Sequence, residues 1–270
     1  MAAHDPDAPR ERGTAAPTVA SRLFRILDAF SAQRPAMTLS SISRHSGLAL
    51  TTTHRLVGEL TRWGALERDA AGRYRIGLRL HELAALAPRG MFLREIAMPF
   101  LGDLYEATHQ NVQLGVLDGT EVVYVERLSG RGAVPVASRP GARLPLHATG
   151  VGLVLLAHAD GDFQEEVLRA PLKRFTDRTI SGADRLRRVL ADARRDGYVI
   201  SDRQIELSTV SVAAPVRDHT DTVVASLSIV VPSGEVDPMT LVPAVRAAAR
   251  GISRALGSAT PLAGRSPKSG

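Results

Sequence analysis

Three consecutive threonines, Thr51, Thr52 and Thr53, are followed at once by His54 and Arg55, and they open a stretch whose later half carries a regular apolar stripe. Threonine is a poor helix former, so a helix that begins this way spends propensity on something else. Short hydroxyls let the amino end of a helix come close to phosphates and base edges, where unpaired N–H groups and the positive end of the helix dipole already favour anions. An arginine one turn in can then fork onto a guanine edge or a phosphate. The chemistry suggested by residues 51–55 is nucleic-acid recognition.

The flanking text supplies elements able to position such a turn. Leu23, Ile26, Leu27 and Phe30 recur at helical spacing and predict a first helix over about 19–32. Thr38 can cap a second helix, whose Leu39 and Ile42 face inward and which Gly47 ends. The third helix, about 50–63, follows after two residues, with Thr53, Leu56, Val57 and Leu60 on one face and Thr51, Thr52, Arg55 and Glu59 on the other. Two short helices joined by a tight Gly-containing turn make a helix-turn-helix. Residues 65–68 and 73–76 read as two strands around "DAAG", a hairpin wing. Thr51, Thr52, His54 and Arg55 are the expected groove contacts. Arg73 and Tyr74 are expected to act from the wing, and Ser40 or Ser41 on the DNA backbone. Tyr74 reads equally well as hairpin core, and Arg22 and Arg44 as surface charge.

The charge agrees with this placement. The chain of 270 residues has formal net charge +6, and residues 20–80 hold ten Arg against four acids, 10 − 4 = +6, which leaves the remainder near neutral. A basic module on a neutral body points to a polyanion partner for one domain. The length suits about two domains. Hydrophobic residues make up 44%, enough for sizeable cores, and there is no cysteine, which excludes disulfides, thiolate metal sites and cysteine nucleophiles. No run of about 18 apolar residues exists to span a membrane, and the opening residues lack the apolar core of a secretion signal, so a cytoplasmic location is expected.

Residues 1–17 read as a disordered arm, 18–77 as the winged domain, 78–90 as a linker helix interrupted at Pro88-Arg-Gly90, 91–257 as a second domain, and 258–270 as a disordered tail. A helix is expected to run to about Thr108, with Pro99 kinking it or near its start. Strands follow around the strong hairpin signal Asp118-Gly119, at 133–138, and in "YVISD", "VSVAAPVRD" and "TVVASLSIVV"; helices are expected from near Thr149, over 181–197 with Ser181 as cap, and at the end. About six strands and four or five helices make an α+β domain with an antiparallel sheet.

With these stretches in order, the chain resembles the IclR family of bacterial transcription regulators over about residues 18–257. "SRLFRILDAF" is similar to the family's first helix, "LSSISRHSGLALTTTHRLVGEL" to its helix-turn-helix, and "GRYRIGLRLHELA" to its wing and linker helix. "LPLHATGVGLVLLA" and "GYVISDRQIELSTVSVAAPV" resemble its effector-domain signatures. The resemblance implies a winged helix-turn-helix plus a GAF-like effector-binding domain, double-stranded operator DNA as partner, a dimer or tetramer, and a small organic acid as effector, with repression the expected sign. "SDRQIELSTVS" also resembles the corresponding stretch in regulators of the β-ketoadipate pathway. The resemblance carries effector binding to Gly150, Val151, Ser211 and Ser228, with Asp202 near the pocket mouth or in a structural turn. Thr53 stands where the family has a buried Val and is expected to loosen the recognition helix. Val151 and Leu153 replace its common Ala and Lys, and Ser208 its common Gly.

Two rival readings have different sequence signatures. An enzyme acting on a small acid would need reacting groups, but no G-x-S-x-G elbow, Walker loop or dinucleotide fingerprint is present. His147 lacks cysteine or His-x-x-x-His companions and reads as a buried, hydrogen-bonded histidine; no metal or cofactor is implied. A sensor or adaptor working without DNA is disfavoured by the basic charge and the hydroxyl-rich turn.

Overall fold

The computed structural model describes residues 18–31, 33–86 and 92–257. The expected arm and tail, and the break at 88–90, lie outside them. The chain divides into two compact units, near residue 87.

In the first unit, α1 (Val19–Asp28) and α2 (Leu39–Ser46) start on threonine caps, Thr18 accepting from the Ser21 N–H and Thr38 from that of Ser41. α1 ends at Asp28, earlier than the apolar spacing suggested. Gly47 takes the left-handed conformation, φ 65°, which lets the chain turn at once into α3 (Leu50–Trp63). Ser43 Oγ donates to Leu48 O at 2.7 Å and fixes that turn. Ile26, Ile42, Leu56, Val57, Leu60 and Leu66 form the small core. Strands β2 (Leu66–Arg68) and β3 (Tyr74–Ile76) make the wing, and a strand not read from the sequence, β1 (Ala36–Met37), adds to β3, for the order β1-β3-β2, antiparallel throughout. α4 (Leu78–Ala85) follows. Thr53 is fully buried, but its hydroxyl donates to Ala49 O at 3.0 Å. A satisfied hydroxyl costs the core little, so Thr53 is accommodated where the family has an apolar side chain.

The second unit is built on a six-stranded antiparallel sheet in the order β6-β5-β4-β9-β8-β7, from β4 (Asn111–Asp118), β5 (Glu121–Leu128), β6 (Arg143–Pro145), β7 (Val199–Asp202), β8 (Thr209–Arg217) and β9 (Val223–Pro232). Period-2 alternation splits it into two faces. Val112, Leu114, Val212, Ala214, Leu227 and Ile229 pack on α5 (Leu93–Thr108) and α9 (Val242–Ala255). The opposite face meets α6 (Gly150–Ala157) and α8 (Ala183–Asp196), with α7 (Gly161–Arg169) against α8.

Several expectations change here. Pro99 lies inside α5. Residues 133–138 alternate like a strand but form none. Pro135 has no N–H to pair, and β6 occupies the edge of β5. The segment is instead tied down by Asn111 Nδ2 donating to Val134 O at 2.8 Å and Arg127 donating to Ser138 O at 2.9 Å. Ser181 does not cap α8; the helix starts after Gly182 without a side-chain cap, because Thr179 and Ile180 are held back by Gln204. α7 was not expected, although Asp160 caps it at the Phe163 N–H.

Candidate nucleic-acid interface and effector cavity

The first turn of α3 is uncapped. Ala49 occupies the cap position and supplies no side-chain acceptor, unlike Thr18 and Thr38. The amino end of α3 therefore keeps unpaired N–H donors and the positive end of its dipole. Thr51, His54 and Arg55 are exposed around it and Thr52 is half-buried, while Thr53, Leu56 and Val57 hold the opposite face in the core. On α2, Ser40 is exposed; Ser41 is half-buried, and its carbonyl is hydrogen-bonded by the His45 ring at 2.8 Å. The α3 residues singled out by sequence thus share one accessible surface.

The wing is organised by a residue that sequence reading missed. One carboxylate oxygen of Asp69 accepts the N–H groups of Ala71 and Arg73, at 3.0 and 2.9 Å. The other accepts from the guanidinium groups of Arg73 and Arg75. The backbone N–H of Arg73, with the two guanidinium groups, holds the Asp69 carboxyl below the usual carboxylate range. Its contribution to wing order is complete above the ordinary carboxylate pKa of 3.8 and is lost as pH falls through the lower folded value. Titration of Asp69 by carboxyl NMR should show a midpoint below 3.8, and Asp69→Asn should disorder the hairpin amides at pH 7; an unshifted midpoint would contradict the clamp. Tyr74 is half-buried on the edge of the small core, with the Arg68 guanidinium 5.6 Å above its ring. The structure thus gives Tyr74 a packing role, and Arg73 reaches solvent while tied to Asp69.

In the second unit a small, partly open cavity lies between the sheet and the start of α6. Val151, Ser211 and Ser228, expected from sequence, line it. Gly150 does not line it but rests on the sheet: a Cβ there would stand 2.6 Å from Ser211 Oγ and 3.3 Å from Ala213 Cβ. Thr149 caps α6 by accepting the Gly152 N–H at 3.0 Å. Asp202 is not a lining residue. Alternation along β7 gives the cavity face to Ser201, and Asp202 pairs with Arg203 at 2.8 Å; the Arg203 guanidinium holds its carboxyl below the usual range. Missed by sequence reading are Gln113, Tyr124, Ser138, Thr149, Ser201 and Gln204. Burial pushes the Tyr124 hydroxyl up, so it stays protonated at neutral pH. His147 lies outside the cavity lining, buried, its Nε2 hydrogen-bonded with Lys173 O at 2.9 Å. Among the described residues no cluster of His, Asp and Glu has the makings of a metal site, and no helix is long and apolar enough to cross a membrane.

Comparison with known proteins joins the two units. The model of the IclR C-terminal domain of bacterial transcriptional regulators matches residues 87–254, and that of the IclR helix-turn-helix domain matches 19–70. The chain belongs to the IclR family. This IclR-family regulator is 34% identical over 245 residues to the HTH-type transcriptional regulator XynR of Escherichia coli, spanning 87% of the chain and 96% of the relative. It is 34% identical over 227 residues to the glycerol operon regulatory protein of Streptomyces coelicolor, spanning 82% of the chain and 89% of that protein. Among solved structures, an IclR homologue from Microbacterium hydrocarbonoxydans complexed with 4-hydroxybenzoate is 39% identical, with TM-score 0.84, and the match covers 88% of this chain and 99% of that one. The chain is therefore a transcription regulator with a DNA-binding helix-turn-helix domain and an effector-binding domain.

Proposed function

We propose that this regulator is a repressor that grips operator DNA through Thr51, Thr52, His54 and Arg55 in the major groove. Arg73 contacts the DNA backbone from the wing, with Tyr74 shaping that hairpin, and Ser40 and Ser41 contact it from α2. The observation that carries this reading is the uncapped, exposed, hydroxyl-rich first turn of α3. Its effector is a small organic acid. Val151, Ser211 and Ser228 contact it, Gly150 shapes the site, and Asp202 supports the adjoining turn from outside. The relative complexed with 4-hydroxybenzoate supports an aromatic or similarly compact acid, and the AllR repressor of Escherichia coli, 30% identical over 224 residues, supports the sign. The regulator acts in the cytoplasm as a dimer or tetramer: Phe24 on α1 and Leu83 and Leu86 at the end of the first unit leave large apolar side chains in solvent, the composition of an interface. Effector bound in one unit changes DNA affinity in the other only by its differential affinity for the two states.

The test is a mobility-shift series on the regulator's own promoter region. A specific shift whose logarithmic affinity falls linearly with the logarithm of salt concentration is expected. No shift at low salt would contradict the reading.

A further inference from the structure

We infer that Gly58 is the point at which α3 comes closest to the duplex: its bare backbone seats the helix in the major groove, and a side chain there would hold Thr51 and Arg55 away from their contacts. This rests on the DNA reading above and adds to it a positioning residue that carries no polar group.

Gly58 is the ninth residue of a 14-residue helix and has ordinary right-handed backbone, unlike Gly47 and Gly64 at the helix ends. Glycine in a helix interior costs about a factor of five in the folding equilibrium relative to alanine. The usual structural reason for accepting that cost is room for a neighbour. A Cβ at Gly251 in α9, for example, would stand 2.5 Å from Phe100 Cε1. Gly58 has no such neighbour: it is exposed, and a Cβ there would meet no heavy atom of the described residues within 4 Å. The other described helices of the first unit, α1, α2 and α4, contain no glycine.

Open space alone does not decide the matter, since Gly102 on α5 is equally open. The position of Gly58 on the helix does. At about 100° per residue, Thr51, Arg55, Gly58 and Arg62 fall within about 60° of one another, opposite the buried stripe of Thr53, Leu56, Val57 and Leu60. Gly58 therefore sits in the row that faces away from the core, one turn beyond Arg55 and one turn before Arg62. Arg62 is drawn to Glu59, Nη1 to Oε2 at 2.6 Å, and Glu59 lies about 100° round the helix from Gly58. The ion pair leads Arg62 away and leaves bare backbone between the two arginines. Glycine suits a backbone that must approach a ligand closely. The major groove is about 12 Å wide, and a helix with its side chains is about 10–12 Å across. Added carbon in the middle of the leading face forces the helix axis outward.

Gly58→Ala and Gly58→Leu test this, because both new residues are good helix formers and they differ in reach. Each should raise the unfolding midpoint of the first unit, followed by Trp63 fluorescence, by about 4–8 °C. Affinity for the regulator's own promoter region should fall about tenfold with alanine, the scale of one weakened base contact, and about 100-fold with leucine, the scale of two. Affinity for non-specific duplex at low salt should stay unchanged, because no charge is removed and phosphate contacts do not require a fully seated helix. A purely structural glycine would instead lower the midpoint and both affinities together. Operator affinity at or above wild type in both variants, a lowered midpoint, or equal losses on operator and non-specific duplex would overturn the inference. A wild-type protein that fails to shift its operator removes the DNA reading and this inference with it; a wild-type shift unmoved by either substitution removes the inference alone.

Discussion

The double substitution Thr52→Ala plus Arg55→Ala is expected to weaken operator binding at least about 100-fold while leaving the first unit folded. A good side-chain contact to a base edge contributes about 1–3 kcal/mol of discrimination, and two such losses at about 1.4 kcal/mol each multiply to that factor. Stability should hold because the core face of α3 is made by Thr53, Leu56, Val57 and Leu60, which the substitutions leave untouched. Arg55 is exposed, and alanine is a better helix former than threonine. Arg55→Lys should recover only part of the affinity, since an ammonium supplies charge without the planar fork. The check is a mobility-shift titration beside the fluorescence unfolding curve of Trp63, the only tryptophan in the chain, which reports on the first unit. Full affinity in the double variant would place recognition elsewhere.

Gly152→Ala is expected to destabilise the second unit by about 2 kcal/mol and to abolish effector binding. A Cβ at this position would stand 2.4 Å from Leu146 O, 2.5 Å from Leu146 Cα and 2.6 Å from Thr149 Oγ1. Two of these are backbone atoms, so the clash cannot be relieved by rotating a side chain, and α6 must move away from the 3-10 turn at Leu146–Ala148. Forcing an extra carbon into a packed site costs about 1–3 kcal/mol or more, and alanine's helical advantage of about 1 kcal/mol offsets only part of that. Moving α6 also displaces Thr149 and Val151, both in the cavity wall. Urea unfolding should show the far-UV transition of the second unit shifted down while the Trp63 transition stays in place. Because two units unfold, a single two-state fit of the whole chain is not the right measure.

What could be read from sequence follows from which signals are local. The helices of the first unit came from 3.6-residue spacing and from caps written in the text, such as Thr38 and Gly47. The family resemblance agreed with them and with both matched domain models. The cavity was only half legible, because register across several strands assembles it. Ser211 and Ser228 stood out as hydroxyls in apolar strands. Gln113 and Tyr124 did not, since only pairing with β9 and packing against α6 reveal which face they occupy. Of the two places expected for Asp202, the pocket mouth and a structural turn, strand alternation favours the second: Ser201 takes the cavity face and Asp202 pairs with Arg203 at the end of β7. Residues 133–138 mislead for another reason, an alternating pattern whose proline cannot pair and whose sheet edge is already occupied. Asp69 was passed over because it reads as an ordinary turn residue, and its clamp on Arg73 and Arg75 exists only once the hairpin closes.

The central claim is that the first turn of α3 enters the major groove with Arg55 at a base edge. Methylation interference on the operator tests it most directly, because a methyl group on guanine N7 stands in that groove. Wild-type protein should be blocked at defined guanines, and the Arg55→Ala variant should lose sensitivity at one guanine per half-site while keeping the others. An interference pattern identical in wild type and variant would contradict it.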